Sequence, residues 1–138
     1  MTNLPINFRS VRRVCVTGGR NYNDQAAVDR ALDDVFAQCL GTLTVVHGGA
    51  SGADACAHAW VFATRARGAH VGVDVYMAEW RKLGVAAGPF RNSRMLAVGR
   101  PDLVLAFPGD KGTADCVKKA QKLGIPVLFC GQPQEVHP

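Results

Sequence analysis

A chain of 138 residues with 48% hydrophobic side chains fits one domain with a packed core, so length and composition exclude both a disordered chain and a two-domain one. The net charge of +5 favours anionic partners, but Lys and Arg are scattered and no run of them resembles a nucleic-acid arm.

Residues 1–10 are expected to be loose, and no apolar stretch there suits a signal peptide. No segment approaches the ~20 apolar residues of a membrane helix. A cytoplasmic protein without membrane contact is expected. The first strand is predicted over 13–17 (RVCVT). A helix follows, capped by Asp24, with Val28, Ala31, Leu32, Val35 and Cys39 at helical spacing. The second strand is predicted over 43–47 and a mostly apolar helix over 53–67. The third strand covers 71–76, and a short helix opens at Pro89, a residue suited to a first helical position. The fourth strand spans 102–107. A helix then starts near Thr113, buries Val117, Ala120 and Leu123, and ends at Gly124, with Lys118, Lys119 and Lys122 in the half where the helix dipole favours cations. The fifth strand spans 126–130, and 132–138 form a loose tail.

The predicted strands are rich in Val and Leu with little alternation, as in a sheet covered on both faces. Strand and helix alternating in this way predict an α/β fold. It is a single Rossmann-like three-layer α/β/α domain over residues 11–131, with a mostly parallel sheet of about five strands.

Cys15, Cys39, Cys56, Cys116 and Cys130 are odd in number and include no C-x-x-C pair. They read as reduced thiols rather than a disulfide framework or zinc site. Cys56 and His58, two apart on one helix, point in different directions and make no metal motif. No metal or cofactor is indicated.

Three strand-to-helix loops carry the candidate chemistry. They are Thr17-Gly18-Gly19-Arg20, then His47-Gly48-Gly49-Ala50-Ser51-Gly52-Ala53-Asp54, then Phe107-Pro108-Gly109-Asp110-Lys111-Gly112-Thr113. Glycines let a ligand approach the backbone, and the N–H groups of a helix start favour an anion. Ser51 and Thr113 add hydroxyls, Lys111 a charge and Arg20 a bidentate fork. None of the loops matches the dinucleotide or P-loop fingerprint. Right-handed crossovers place all three along the edge where open α/β sheets bind ligands.

Arg91 and Asn92 follow Gly88-Pro89 at a helix start facing the same edge. Arg94 is a helical neighbour of Arg91 that reads equally as solvated charge. Asp54 either receives ribose hydroxyls or interacts with its own helix start. Trp80 and Phe90 have the shape to stack on a base, though core packing is the commoner role of such aromatics. His47 and His58 read as structural histidines, with a general-base role for His47 the lesser alternative.

The segments VTGGRNY (16–22), HGGASGADACA (47–57), EW (79–80), AAGPFRNSRML (86–96), PDLVLAFPGDKGTAD (101–115) and GIPV (124–127), in this order, resemble the SLOG superfamily, most closely its YspA-like branch. The resemblance spans about residues 12–128. It implies a Rossmannoid fold and a site for nucleotides or nucleotide-derived ligands. The superfamily's LOG-type phosphoribohydrolases cleave base from ribose with the motif P-G-G-x-G-T-x-x-E, preceded by a helix with a catalytic Arg. Against that pattern Pro108, Gly109, Gly112 and Thr113 match, Asp110 replaces a glycine, and Arg91 aligns with the catalytic arginine. Cys116 stands where the catalytic Glu belongs. A thiol cannot stabilise ribosyl positive charge as a carboxylate does. Asp115 lies about 100° round the helix and is a poor substitute; favourable charge in the first helical turn is its expected role.

The ligand-binding set is therefore Gly18, Gly19, Arg20, Gly48, Gly49, Ser51, Gly52, Asp54, Arg91, Asn92, Pro108, Gly109, Asp110, Lys111, Gly112 and Thr113. Arg91 would be catalytic only in an enzyme. The leading expectation is a sensor or sequestering protein for an ADP-ribose-like or cyclic nucleotide, with enzymatic activity disfavoured by Cys116. The first alternative is a hydrolase or transferase acting on a nucleotide N-glycosidic or phosphate bond. The second, single-stranded nucleic-acid binding, lacks interleaved aromatic and basic residues. The resemblance also implies a homo-oligomer.

Overall fold

The backbone alternates strand and helix from Arg13 onward. In the computed structural model, which describes residues 5–131, the strands are β1 (Arg13–Thr17), β2 (Leu43–His47), β3 (Val71–Val75), β4 (Leu103–Ala106) and β5 (Val127–Phe129). All neighbouring pairs run parallel, in the order β3-β2-β1-β4-β5. The helices are α1 (Gln25–Gln38), α2 (Ala53–Ala66), α3 (Trp80–Leu83), α4 (Ala87–Ala97) and α5 (Lys111–Lys122).

The strands lack alternation because both sheet faces are covered. Val14 and Val16 of β1 pack with Val28, Leu32 and Val35 of α1 and with Ala57, Trp60 and Val61 of α2. Cys15, between those valines, points the other way, toward Met95 and Leu96 of α4 and Cys116 and Ala120 of α5. Two helices on each face make the three-layer Rossmann-like fold expected from the sequence. Leu32 is wholly buried in the first of these clusters. Leu32→Ala is expected to cost about 3 kcal/mol of stability, read as a lowered midpoint in urea denaturation.

Local chemistry explains the start of α1 and the entries of β1 and β4. Asp24 caps α1 by accepting from the Ala27 N–H at 3.1 Å. The Asp102 carboxylate accepts from the backbone N–H groups of Arg12 and Arg13, at 2.8 and 2.9 Å. It therefore ties the entry of β4 to that of β1 and lies outside the strand itself.

Two helices begin earlier than the sequence predicts. Pro89 is the third residue of α4, not the first. The first turn has no intrahelical acceptors for its N–H groups, so a proline is tolerated there as well. A separate short turn, α3, precedes it and ends where Gly84 takes φ +58. Helix α5 starts at Lys111, two residues before the expected Thr113: Asp110 is non-helical (φ −116, ψ −140) and the chain turns helical directly after it. Its buried row is Thr113, Cys116 and Ala120, while Val117 is half-buried and Leu123 exposed. The earlier start also moves Asp115 out of the first turn.

In the N-terminal segment expected to be loose, Phe8–Ser10 form a 3-10 turn, and Ile6 and Phe8 pack against the α1/α2 core. Residues 1–4 and the tail 132–138 lie outside the described residues. No helix among the described residues is long and apolar enough to cross a membrane.

After β1 the chain builds outward to β2 and β3, then crosses back to place β4 on β1's other side. The crevice beyond the carboxyl ends of β1 and β4 is thus the switch point at which open α/β sheets hold ligands.

Candidate functional site

The three glycine loops meet at that crevice and are locked together by backbone. The Gly19 N–H donates to Pro108 O at 2.8 Å, joining the β1 and β4 loops. Gly19 O accepts from the Ala53 N–H at 3.2 Å, joining the β1 loop to the start of α2. This contact requires Gly52: it has φ +79, and a Cβ there would collide with Gly19 O and the Arg20 carbonyl. A Cβ on Gly109 would strike Thr113 and the Gly19 nitrogen. Gly19, Gly52, Pro108 and Gly109 therefore hold the loops in place; they do not line the cavity the loops enclose.

That cavity has a volume of about 430 Å³. Of the sequence-predicted residues it gathers Gly18, Arg20, Asp54, Arg91, Asn92, Asp110, Lys111, Gly112 and Thr113. Gly48, Gly49 and Ser51 border a smaller cavity of about 150 Å³, which shares Arg20, Trp80 and Arg91 with the larger one. The Ser51 hydroxyl donates to Arg20 O at 3.1 Å and so braces two loops rather than facing a ligand.

Helix α5 points its start into the large cavity. Asp110 makes no side-chain cap, and Ala114 is the first residue whose N–H reaches back, to Asp110 O at 2.9 Å. The N–H groups of Lys111, Gly112 and Thr113 have no backbone acceptor in their own helix, an arrangement of free donors that suits an anion, and Arg20, Arg91 and Lys111 line the same cavity. The Arg20 guanidinium lies 4.8 Å from the Trp80 ring centre.

Arg91 and Asn92 form a strut across the site. Arg91 donates from Nη1 to Gly48 O at 2.5 Å and from Nε to Asn92 Oδ1 at 2.9 Å, which leaves Nη2 without a side-chain or backbone acceptor among the described residues. Asn92, 3% exposed, donates from Nδ2 to Gly112 O at 3.1 Å and to Asp115 Oδ2 at 3.0 Å. Its amide group is thus occupied in fixing the start of α5, and its part in the site is to position. A buried amide so engaged is costly to replace.

Asp54 does not cap its own helix start. Its Oδ2 accepts from the backbone N–H groups of Gly48 and Ala50, at 3.1 and 3.2 Å, and shapes the β2 loop. Burial pushes its carboxyl up to about 6, against lesser lowering by the Ala50 hydrogen bond and by Arg91. His47 shapes the same loop from the other side. Its Nδ1 accepts from the Gly49 N–H at 3.0 Å, so its proton sits on Nε2 and is donated to His58 Nδ1 at 2.9 Å. Burial, then the neighbouring His58, lowers His47 to about 4. Both its nitrogens are used, which is the structural role the sequence favoured.

Cys116 lies outside the cavity. It is fully buried against Cys15, whose thiol is pushed well up by the hydrogen bond between them and by burial. Asp115, set aside on helical geometry, does line the cavity. Its Oδ2, however, is held by Asn92 and by Lys119 Nζ, each at 3.0 Å. Thr17 and Trp80 also line the cavity. Thr17 was missed as a site residue, and its place as the last residue of a central strand was the available signal. Trp80 is 46% exposed at the mouth, whereas Phe90 and Arg94 stand outside this cavity. Among the described residues, no group of three or more His, Cys, Asp or Glu is placed to hold a metal ion.

A protein of Mycobacterium phage D29, Gene 61 protein, is 42% identical to this chain over 123 residues, covering 88% of the chain and 98% of the phage protein. Residues 12–83 match the family model described as "YspA, cpYpsA-related SLOG family". That stretch carries β1, β2 and two of the three loops, and the chain belongs to the YspA, cpYpsA-related SLOG family.

Proposed function

We propose that the cavity binds a nucleotide or nucleotide-derived ligand through its phosphate, and that the protein acts as a sensor or sequestering protein for a species such as an ADP-ribose-like or cyclic nucleotide. Family membership supports a nucleotide-related ligand. The observation that carries the reading is the uncapped start of α5 opening into the same cavity as Arg20, Arg91 and Lys111. The amides and the Thr113 side chain suit phosphate oxygens, and Arg91 Nη2 and the Arg20 fork suit a second anionic oxygen.

Holding the ligand is favoured over cutting it because Cys116, in the place of the carboxylate of LOG-type phosphoribohydrolases, is sealed against Cys15. Purified protein denatured and analysed by mass spectrometry is expected to release an intact nucleotide-derived species. Calorimetry with that species should then show stoichiometric binding that weakens with salt. Turnover of the bound species would overturn the binding role. Arg20→Ala removes a side chain that stacks on Trp80 and makes no hydrogen bond or ion pair among the described residues. It is expected to weaken binding at least tenfold with little change in thermal stability.

A further inference from the structure

Asp54 is the one buried carboxylate of the cavity left with an oxygen to spare. It is 6% exposed, yet it borders the large cavity. Both loop N–H groups bond to Oδ2, and Oδ1 has no hydrogen-bond partner among the described residues. Among the described residues no cation lies within salt-bridge distance of it, although Arg91 and Arg20 act on it from farther off: the Arg91 donors Nη1 and Nε are turned to Gly48 O and Asn92 Oδ1, and neither described salt bridge includes Asp54. A buried carboxylate needs hydrogen-bond donors or it weighs against the fold. Asp115, the other acid on the inner wall, already has two donors on Oδ2.

The cations and amides of the site are all suited to the anionic end of a ligand. What Asp54 requires is the opposite, a neutral group that donates. A second anion there would be repelled, and the described residues offer no cluster for a metal ion. Sugar hydroxyls meet the requirement: they donate, carry no charge, and in a sugar phosphate are joined to the phosphate by a few bonds.

We propose that Asp54 is a specificity-determining residue that accepts a hydrogen bond from the 2-hydroxyl of the ligand's sugar, selecting ribose over 2-deoxyribose. This rests on the reading that the cavity takes a phosphate-bearing ligand. The carboxylate then serves two ends at once, with Oδ2 fixing the β2 loop and Oδ1 reading the sugar.

The test uses ribose 5-phosphate, 2-deoxyribose 5-phosphate and inorganic phosphate as probes, titrated into the intact protein and followed by NMR shift perturbation. Ribose 5-phosphate is expected to bind roughly ten-fold or more tightly than its 2-deoxy counterpart, as the loss of a hydrogen bond to a charged group implies. In Asp54→Asn the amide oxygen can still accept from the loop, but the NH2 group facing the cavity is a donor. That variant should lose the wild type's preference for ribose 5-phosphate over its 2-deoxy counterpart. Equal binding of the two sugar phosphates by the wild-type protein overturns the role of Asp54 and leaves the phosphate reading standing. Failure of all three probes to bind overturns both. The wild-type comparison holds even if the variant does not fold.

Discussion

Gly52→Val is expected to lower the free energy of unfolding by about 4 kcal/mol. Two costs combine at this position. Valine is branched at Cβ, and φ is +79, a conformation L side chains rarely adopt. A Cβ would also occupy the space of Gly19 O and the Arg20 carbonyl, so the β1 loop would have to leave the start of α2. Gly68 separates the two costs, since its φ is +91 and a Cβ there meets nothing within 4 Å. Gly68→Val should carry only the backbone term, about 1 kcal/mol. Urea denaturation of both variants gives the comparison. Losses of equal size would show that the loop contact adds nothing.

The second large effect is a dependence on pH that the wild-type protein conceals. Asp54 is raised from its ordinary range to about 6, so the folded state holds a proton that the unfolded state has released. Its contribution to stability is full below the unfolded value near 4 and is lost as pH rises through 6. His47 is lowered to about 4, so the folded state lacks a proton that the unfolded state holds. Its contribution is full above the unfolded value near 6.5 and is lost as pH falls through 4. Near pH 5 the two slopes are opposite in sign and nearly equal. Asp54→Asn removes one of them and keeps an acceptor for the β2 loop. Its stability is expected to rise between pH 4.5 and 6 by about 1 kcal/mol per pH unit more than the wild type's. Parallel stability curves for the two proteins would show that the burial of Asp54 and His47 does not govern their protons.

Much of this molecule was legible before any coordinates. Runs such as RVCVT and LTVVH are apolar on both faces, and only a sheet sandwiched between helices can bury both, so β1 and β2 fall within the predicted bounds. Asp24 announced the start of α1 because a short acceptor ahead of an amphipathic run satisfies an orphan N–H. The glycines of the three loops marked where backbones approach closely. The start of α4 was less legible, because a proline fits the third position of a helix as well as the first.

What the sequence by itself determined is the layered fold, the edge at which the loops gather and the family. These rest on local rules: periodicity, capping and glycine's freedom at positive φ. Only the tertiary structure decided which loop residues line the cavity and which face one another. Gly19, Gly52, Pro108 and Gly109 are spent on loop-to-loop contact, and Asn92 on the start of α5, while Asp54 lines the cavity with only Oδ2 bonded to the loop. Spacing along a chain cannot carry that distinction. It depends on partners from other elements, such as Ala53 against Gly19 and Arg91 against Gly48, which lie 34 and 43 residues apart and meet only when the sheet and its helices are assembled.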